Sequence, residues 1–405
     1  MLLTLWEEIL PNYKHGLVRV SKRALIMTCA WSRGKPKGAI SLMSSAATVA
    51  ANQDMLGQTC QQMCALMAER GLPAYRGRQL FQALHRQLVE TPEEISVLPR
   101  AVRTELAAEA SLQPLSLAGI FESLDGTRRY LFKVHDGYSI ETVWIPDRGR
   151  VTLCLSSQAG CPMRCAFCAT ATLGLQRNLT AGEIVAQVLY VLRDTVRQRQ
   201  QPRPAAVNLV LMGMGEPLLN YDHVLHALRV LADPEGLHIV PRRVTLSTVG
   251  IVPRIIALGR EPDRPRLAVS LTAATDELRA RLMPVNLTYP LEALREACLA
   301  FPRHPGERIT FEYVLLDGVN DSEDQARALL RWLAPLRAQE AAKVNLIPHN
   351  PVPGIPFRPP KLERVLRFQA LLRAKGLPTY LRRPRGQDIS AACGMLAATS
   401  GPSAS

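Results

Sequence analysis

From residue 147 to residue 388 the chain repeats one phrase: a short apolar run, a polar or glycine-bearing turn, and a stretch with helical apolar spacing. Residues 207–212, 244–247, 267–271, 309–315, 343–347 and 379–382 read as strands. Residues 184–193, 222–231, 251–258, 323–337 and 362–374 read as helices, with two further helical pieces opening at Thr275 and Pro290. Thr180 with Glu183, and Ser322 with Gln325, match the capping-box pattern of a helix start. Apolar strands alternating with helices specify a parallel sheet covered on both faces. About six such units predict an α/β fold: a partial (β/α)6 TIM-like barrel, two units short of the closed form. Chemistry in such folds sits at the C-terminal strand ends. Those ends read Gly213-Met214-Gly215-Glu216-Pro217, Ser247-Thr248, Ser270-Leu271-Thr272, Asp317 and His349-Asn350. They are polar or glycine at nearly every turn, after strands that are mostly apolar.

The rest of the chain follows other rules. Residues 53–112 predict a small helical domain, with Leu80, Phe81, Leu84 and Leu88 on one stripe and Tyr75, Arg76, Arg78 and Arg86 around it. Cys60 and Cys64 stand at helical spacing there, with no further ligand to complete a metal site, and read as ordinary thiols. Residues 113–146 alternate like antiparallel strands, a short β extension joining that domain to the core. Glu141 lies mid-strand beside Ile140, so its carboxylate faces either solvent or a site. Residues 389–405 form a C-terminal loop and tail. Residues 1–52 form a basic extension without assigned function, acid-free from Pro11 to Gln53.

Among 405 residues there is no apolar run of membrane-spanning length, which points to a cytoplasmic chain. The net charge of +14 suggests a polyanionic partner, and nucleic acid is the commonest. Nine cysteines in so long a chain do not make a secreted disulfide scaffold. Four of them fall between Cys154 and Cys168. Cys161, Cys165 and Cys168 form a C-x3-C-x2-C array on one short loop, just after a strand. Three thiolates so spaced can hold three irons of a cubane cluster and leave the fourth iron open. Zinc is the rival ligand, but its usual second pair is missing downstream. On residues alone, Cys154 and Cys393 read as buried thiols, as does Cys298 in its helical run.

The array, with the glycine-rich segment 213–217, resembles the radical S-adenosylmethionine superfamily. The segments ETVWIP, TLCLSSQAGCPMRCAFC, GMGEPLLNYD, LSTVG, TFEYVLLDGVND, NLIPHNP and RGQDISAACG resemble one family within it, the adenine-carbon-2 RNA methyltransferases. The segment GLPAYRGRQLFQALH resembles that family's RNA-binding domain. The resemblance implies one 4Fe-4S cluster on Cys161, Cys165 and Cys168, and two S-adenosylmethionine molecules per turnover. It implies 23S ribosomal RNA, at the peptidyl-transferase centre, as substrate, with an anticodon-loop adenine of transfer RNA as a second. It makes Cys393 the methyl carrier, on a loop that Gly394 lets swing. It makes Cys154 the thiol that frees the product by forming a disulfide with Cys393, and Glu141 the base at adenine carbon 2. Gly215, Glu216, Ser247, Ser270, Leu271, Thr272 and Asn350 would contact S-adenosylmethionine. Thr272 departs from the family's usual histidine, so a side-chain contact there is weakened. A flavodoxin or ferredoxin would supply electrons, and the chain would act as a monomer. Arg382, Arg383, Arg385 and the Arg177-Asn178 segment would meet RNA phosphates at the barrel mouth. Two other readings stay open at this stage: methylation at carbon 8 of the same adenine, and a non-catalytic RNA-binding protein with zinc in its cysteine loop.

Overall fold

The structure, a computed structural model, describes residues 54–109 and 112–397. The expected basic extension and the last tail residues lie outside them.

Three helices lead: α1 (Cys60–Glu69), α2 (Tyr75–His85) and α3 (Arg100–Glu109). Thr59 caps α1 reciprocally with Gln62, each backbone N–H donating to the other's side chain. Gly77 lets α2 press onto α1, since a Cβ there would stand 2.3 Å from the Met63 carbonyl.

An antiparallel meander follows: β1 (Leu115–Glu122), β2 (Arg128–Val134) and β3 (Ser139–Asp147). β3 pairs with β4 (Arg150–Cys154), which starts the barrel. After β4 come the two short strands β5 (Gln158–Gly160) and β6 (Leu175–Asn178), flanking α4 (Ala169–Thr172). Then the repeat runs: α5 (Ala181–Arg193), β7 (Ala206–Leu211), α6 (Tyr221–Ala232), β8 (Val244–Thr248), α7 (Val252–Gly259), β9 (Arg266–Ser270), α8 (Asp276–Leu282) and α9 (Leu291–Ala300). It ends with β10 (Ile309–Leu315), α10 (Glu323–Ala338), β11 (Ala342–Pro348), α11 (Leu362–Ala374) and β12 (Thr379–Leu381).

One ten-stranded sheet holds all strands but β5 and β6, in the order β1-β2-β3-β4-β7-β8-β9-β10-β11-β12. From β4 to β12 every neighbour is parallel. The sheet does not close: β1 and β12 are its edges. The expected partial barrel is therefore present, and its β extension continues the same sheet. Strand and helix ends fall within one or two residues of the expected ones. Leu209, Leu246, Leu267, Phe311 and Val344 are buried along the strands, under helices that bury Ile184, Val224, Ile255, Leu329 and Phe368.

Buried charges tie the layers. Asp194, where α5 ends, accepts from Tyr130 Oη at 2.6 Å, Arg199 Nε at 2.7 Å and Arg128 Nη1 at 3.2 Å. Arg177 is already committed to Glu183 and Asp136, so it is an internal clamp rather than the free phosphate contact expected. Of the two capping boxes, that at Thr180 is complete. At Ser322 only half forms: its Oγ accepts from Gln325 N–H, while Gln325 Oε1 has no partner among the described residues.

The segment after β12 crosses the open edge of the barrel. Gly386 N–H donates to Asp125 and Ser123 Oγ to Asp388, in and beside the β1–β2 turn. Further on, Ala169 N–H donates to the Gly394 carbonyl at 2.9 Å and Thr170 Oγ1 to the Leu396 carbonyl at 2.7 Å. This strap ties the meander to α4 and carries Cys393 between them.

No helix among the described residues is long and apolar enough to cross a membrane.

His85 yields a prediction. It is fully buried, stacks on Phe81 at 4.3 Å, and neither ring nitrogen has a hydrogen-bond partner among the described residues. Burial lowers its pKa to about 3. A lowered folded-state pKa means stability present above about pH 6.5 and lost progressively as the pH falls toward 3. At pH 5 the loss amounts to about 2 kcal/mol. His85→Phe should remove that share of the acid sensitivity, read by urea unfolding at pH 7.5 and 5.0. An equal loss in both proteins would exclude His85 as its source.

Candidate active site

The loop after β4 is bent by residues in left-handed conformations. Gly160, at φ +75°, passes so close to the Gly174 carbonyl that any Cβ would collide with it, and Arg164 follows at φ +53°. Cys161 N–H then donates to Gly174 at 2.9 Å, Ala166 N–H to the Leu282 carbonyl at 2.9 Å, and Cys168 caps α4. Cys161, Cys165 and Cys168 all line one cavity at the C-terminal ends of the strands. Burial pushes the Cys161 thiol up to about 12 and Cys165 well above the ordinary range. Bare thiolates are disfavoured there, and a cationic metal centre is what would ionise them. Among the described residues no three His, Cys, Asp or Glu side chains close around a single ion. Three soft donors spread along one wall suit a larger iron–sulfur group.

The opposite walls come from the turns expected. Gly215, Glu216, Ser247, Ser270, Thr272 and Asn350 all line the cavity. Gly215 holds φ +104°, and a Cβ on it would lie 2.7 Å from Ser157 Oγ. Glu216 is buried, and its carboxylate accepts the N–H groups of Val249 at 2.8 Å and Leu218 at 3.1 Å. Burial raises its pKa to about 7. Ser247 Oγ and Ser270 Oγ face each other at 3.5 Å. Leu271 is different: its side chain is packed into the core, its N–H donates to the Glu312 carbonyl, and its own carbonyl accepts from Arg279. Thr272 is buried at φ +56°, an unusual conformation for a β-branched residue, and its Oγ1 has no partner among the described residues. Its carbonyl is held by Asn320 Nδ2 at 2.7 Å.

The strap brings Cys393 to the same cavity. Asn350 Nδ2 donates to the Cys393 carbonyl at 3.0 Å, and Gln387 Nε2 to Asn350 Oδ1 at 2.9 Å. Gly394, expected to let a loop swing, is instead hydrogen-bonded to α4. A second cavity of about 890 Å³ lies within the barrel on the other side of Cys393, and Cys154 lines it. Met212, Ile347, Asn350, Arg382 and Cys393 border both cavities. Cys154 and Cys393 are close enough for the charge of each to disfavour ionisation of Cys154, whose pKa burial raises to about 12.

Glu141 is fully buried and ion-paired with Arg129, so the solvent-face alternative is excluded. It stands two residues from Val143, the partner of Cys154 across β3 and β4, on the same sheet face. It is not among the residues lining either cavity. His349 is a buried wall residue, its Nε2 3.4 Å from the Phe167 carbonyl. Cys298 is buried core, as expected. Arg382 departs from expectation: it borders both cavities beside Cys393 and is not merely a rim residue.

Two charged residues escaped sequence reasoning. Arg279, fully buried, donates to the carbonyls of Val249, Leu271 and Ser270 and to Asn286 Oδ1, knitting the ends of β8 and β9. Glu312, a lone carboxylate within the apolar ITFEYVL strand, is buried on the cavity wall, and its isolation in that run was the available signal.

Comparison with known proteins bears on this arrangement. The radical SAM superfamily profile matches residues 155–330. A dual-specificity RNA methyltransferase RlmN of Syntrophobacter fumaroxidans is 50% identical over 331 residues, covering 82% of this chain and 94% of its own. The chain belongs to the RlmN family of radical SAM methyltransferases. Its counterpart from Anaeromyxobacter is 48% identical over 83% of this chain and 88% of its own. A solved radical SAM methyltransferase from Sphaerobacter thermophilus superposes with a TM-score of 0.80 at 45% identity, covering 85% of this chain and 99% of that one. The superfamily works with S-adenosylmethionine and an iron–sulfur cluster, and the cysteine loop with its glycine-rich wall fits both.

Mild diamide oxidation of metal-free protein should therefore join Cys154 to Cys393, seen as one cross-linked peptide pair by mass spectrometry. Recovery of Cys393 bonded to a loop cysteine instead would refute their pairing.

Proposed function

We propose that this protein methylates carbon 2 of an adenine in 23S ribosomal RNA and of an anticodon-loop adenine in transfer RNA. The observation that carries the reading is the meeting of Cys393 with the three loop cysteines in one cavity, with Cys154 just behind it. The relatives' names, dual-specificity RNA methyltransferase, support both substrates. A single cluster on Cys161, Cys165 and Cys168, with S-adenosylmethionine bound twice per turnover, would supply a methyl group and then a radical able to abstract hydrogen from it.

The chain's own residues do the rest. Gly215 lets backbone approach the cofactor, Glu216, Ser247, Ser270, Thr272 and Asn350 offer polar groups to it, and Leu271 backs that wall. Cys393 carries the methyl group as a thioether and becomes linked through that carbon to the adenine. Glu141 takes the proton from adenine carbon 2, and Arg129 beside it steadies its charge. The Cys154 thiolate then attacks the Cys393 sulfur. A sulfur–sulfur bond forms, the sulfur–carbon bond breaks with its pair going to carbon, and that carbon takes a proton to become the product methyl. A basic chain of net charge +14 suits an RNA substrate. The target base would be extruded from its stack to reach the cavity. The protein would act in the cytoplasm as a monomer, fed electrons by a flavodoxin or ferredoxin.

Mass-spectrometric mapping of adenines in ribosomal and transfer RNA, from cells with and without this gene, tests the reading. Loss of carbon-2 methyl groups on deletion is expected; an unchanged map would refute it. Cys154→Ala should accumulate RNA bonded to Cys393, and RNA-free protein would exclude the resolving role. Cys161→Ala should lower the iron and sulfide content of anaerobically purified protein several-fold and abolish methylation.

A further inference from the structure

Cys393 is the exposed member of the facing pair, yet its exposure is to the cavities and not to open solvent. Its sulfur has one cationic neighbour. The Arg382 guanidinium hydrogen-bonds the Cys393 thiol. Arg382 leaves the end of β12 with its backbone N–H bonded to the Leu346 carbonyl at 2.9 Å, so its origin is fixed by the sheet. Neighbouring Arg385 turns instead toward Asp125, 3.7 Å away.

We propose that Arg382 is a positioning residue for Cys393: its guanidinium holds the sulfur as a thiolate and keeps it on the wall shared by the two cavities. This rests on the reading of Cys393 as methyl carrier, because a thiolate, not a thiol, is the competent nucleophile.

The surroundings make such a partner necessary. Burial drives the Cys393 thiol toward its neutral form, and Arg382 is the group that opposes it. Glu312, on β10, adds a negative charge that also disfavours ionisation. Its Oε1 accepts from Asn345 at 2.9 Å, and Arg382 and Lys343 are the cations nearest its charge. Cys154 faces the same guanidinium from β4. Arg382 therefore stands among one carboxylate and two thiols and keeps its protons at any working pH. When Cys393 ionises, its proton leaves to solvent and the guanidinium meets the new charge with an N–H already aimed at sulfur. A charge-assisted bond of this kind is roughly twice as strong as a neutral one.

The test is the pH profile of Cys393 alkylation by iodoacetamide in the full-length protein, followed on the Cys393 peptide by mass spectrometry from pH 6 to 9. Thiolate fraction sets the rate, and one pKa unit is a tenfold change below the pKa. Arg382→Gln should slow labelling at pH 7 about tenfold and move the profile up by about one unit. Arg382→Lys, with a cation but no planar fork, should fall between. Cys298, wholly buried, reports folding: it stays unlabelled in an intact protein. If Arg382→Gln labels Cys298, Arg382→Met replaces it in the same assay. A profile superimposable on wild type in a folded variant would overturn the proposal. Incubation of reconstituted wild type with S-adenosylmethionine reports separately on the carrier reading. No methyl on Cys393, with the alkylation shift intact, would overturn the carrier reading and leave the Arg382 contact standing.

Discussion

The site depends on one close backbone contact, between the chain leaving β4 and the turn after β7. Ser157 and Gln158 both donate N–H to the Met214 carbonyl, at 2.8 and 3.2 Å. Ser156 Oγ accepts from Met214 N–H, and Gln158 Oε1 from Glu216 N–H at 2.8 Å. A Cβ at Gly213 would lie 2.6 Å from the Leu155 carbonyl, so the two segments can meet only because glycine stands there. This seam sets the cysteine loop against the glycine-rich wall. Ser156 extends it further, donating to the Glu141 carbonyl at 2.6 Å while Gln187 of α5 brackets its backbone. One short stretch thus fixes the loop, the wall and the β3 carboxylate relative to each other.

Around that seam the barrel holds more buried charge than a core needs for stability. Burying a charge costs free energy unless it is paired or hydrogen-bonded. Arg279 meets the cost with four acceptors at the ends of β8 and β9. Glu216 uses two backbone donors, and Arg129 and Glu141 use each other. Each of these groups stands beside the cavity or one strand away, so polar density is concentrated where chemistry needs a rigid frame.

Much of this was legible in the sequence, for physical reasons. Period and turn chemistry are local, so 309–315 and 362–374 were placed to the residue. The strand ends followed from the barrel rule, and the cavity-lining glycines and serines with them. What failed was long-range. Arg177 looked like a surface cation because Asp136 lies far from it in the chain. Glu141 looked like a lone carboxylate in an apolar strand, yet the adjacent strand supplies Arg129. The half-formed cap at Ser322 shows the same limit at short range: the pattern permits the second bond, but Gln325 does not make it. Cys393 could be tied to the site only through family resemblance, since the strap that carries it is irregular and has no period to read.

The strap also changes what Cys393 must do between steps. With Gly394 bonded to α4 and Asn350 holding the Cys393 carbonyl, the backbone has no need to travel. The sulfur sits on a partition, and one rotation about its Cα–Cβ bond turns it from the cluster side toward Cys154. Side-chain rotations take picoseconds to nanoseconds, whereas lid motions take microseconds or more. A fixed backbone with a pivoting sulfur removes loop gating from the catalytic cycle and leaves bond-making, or departure of the RNA, to set its pace.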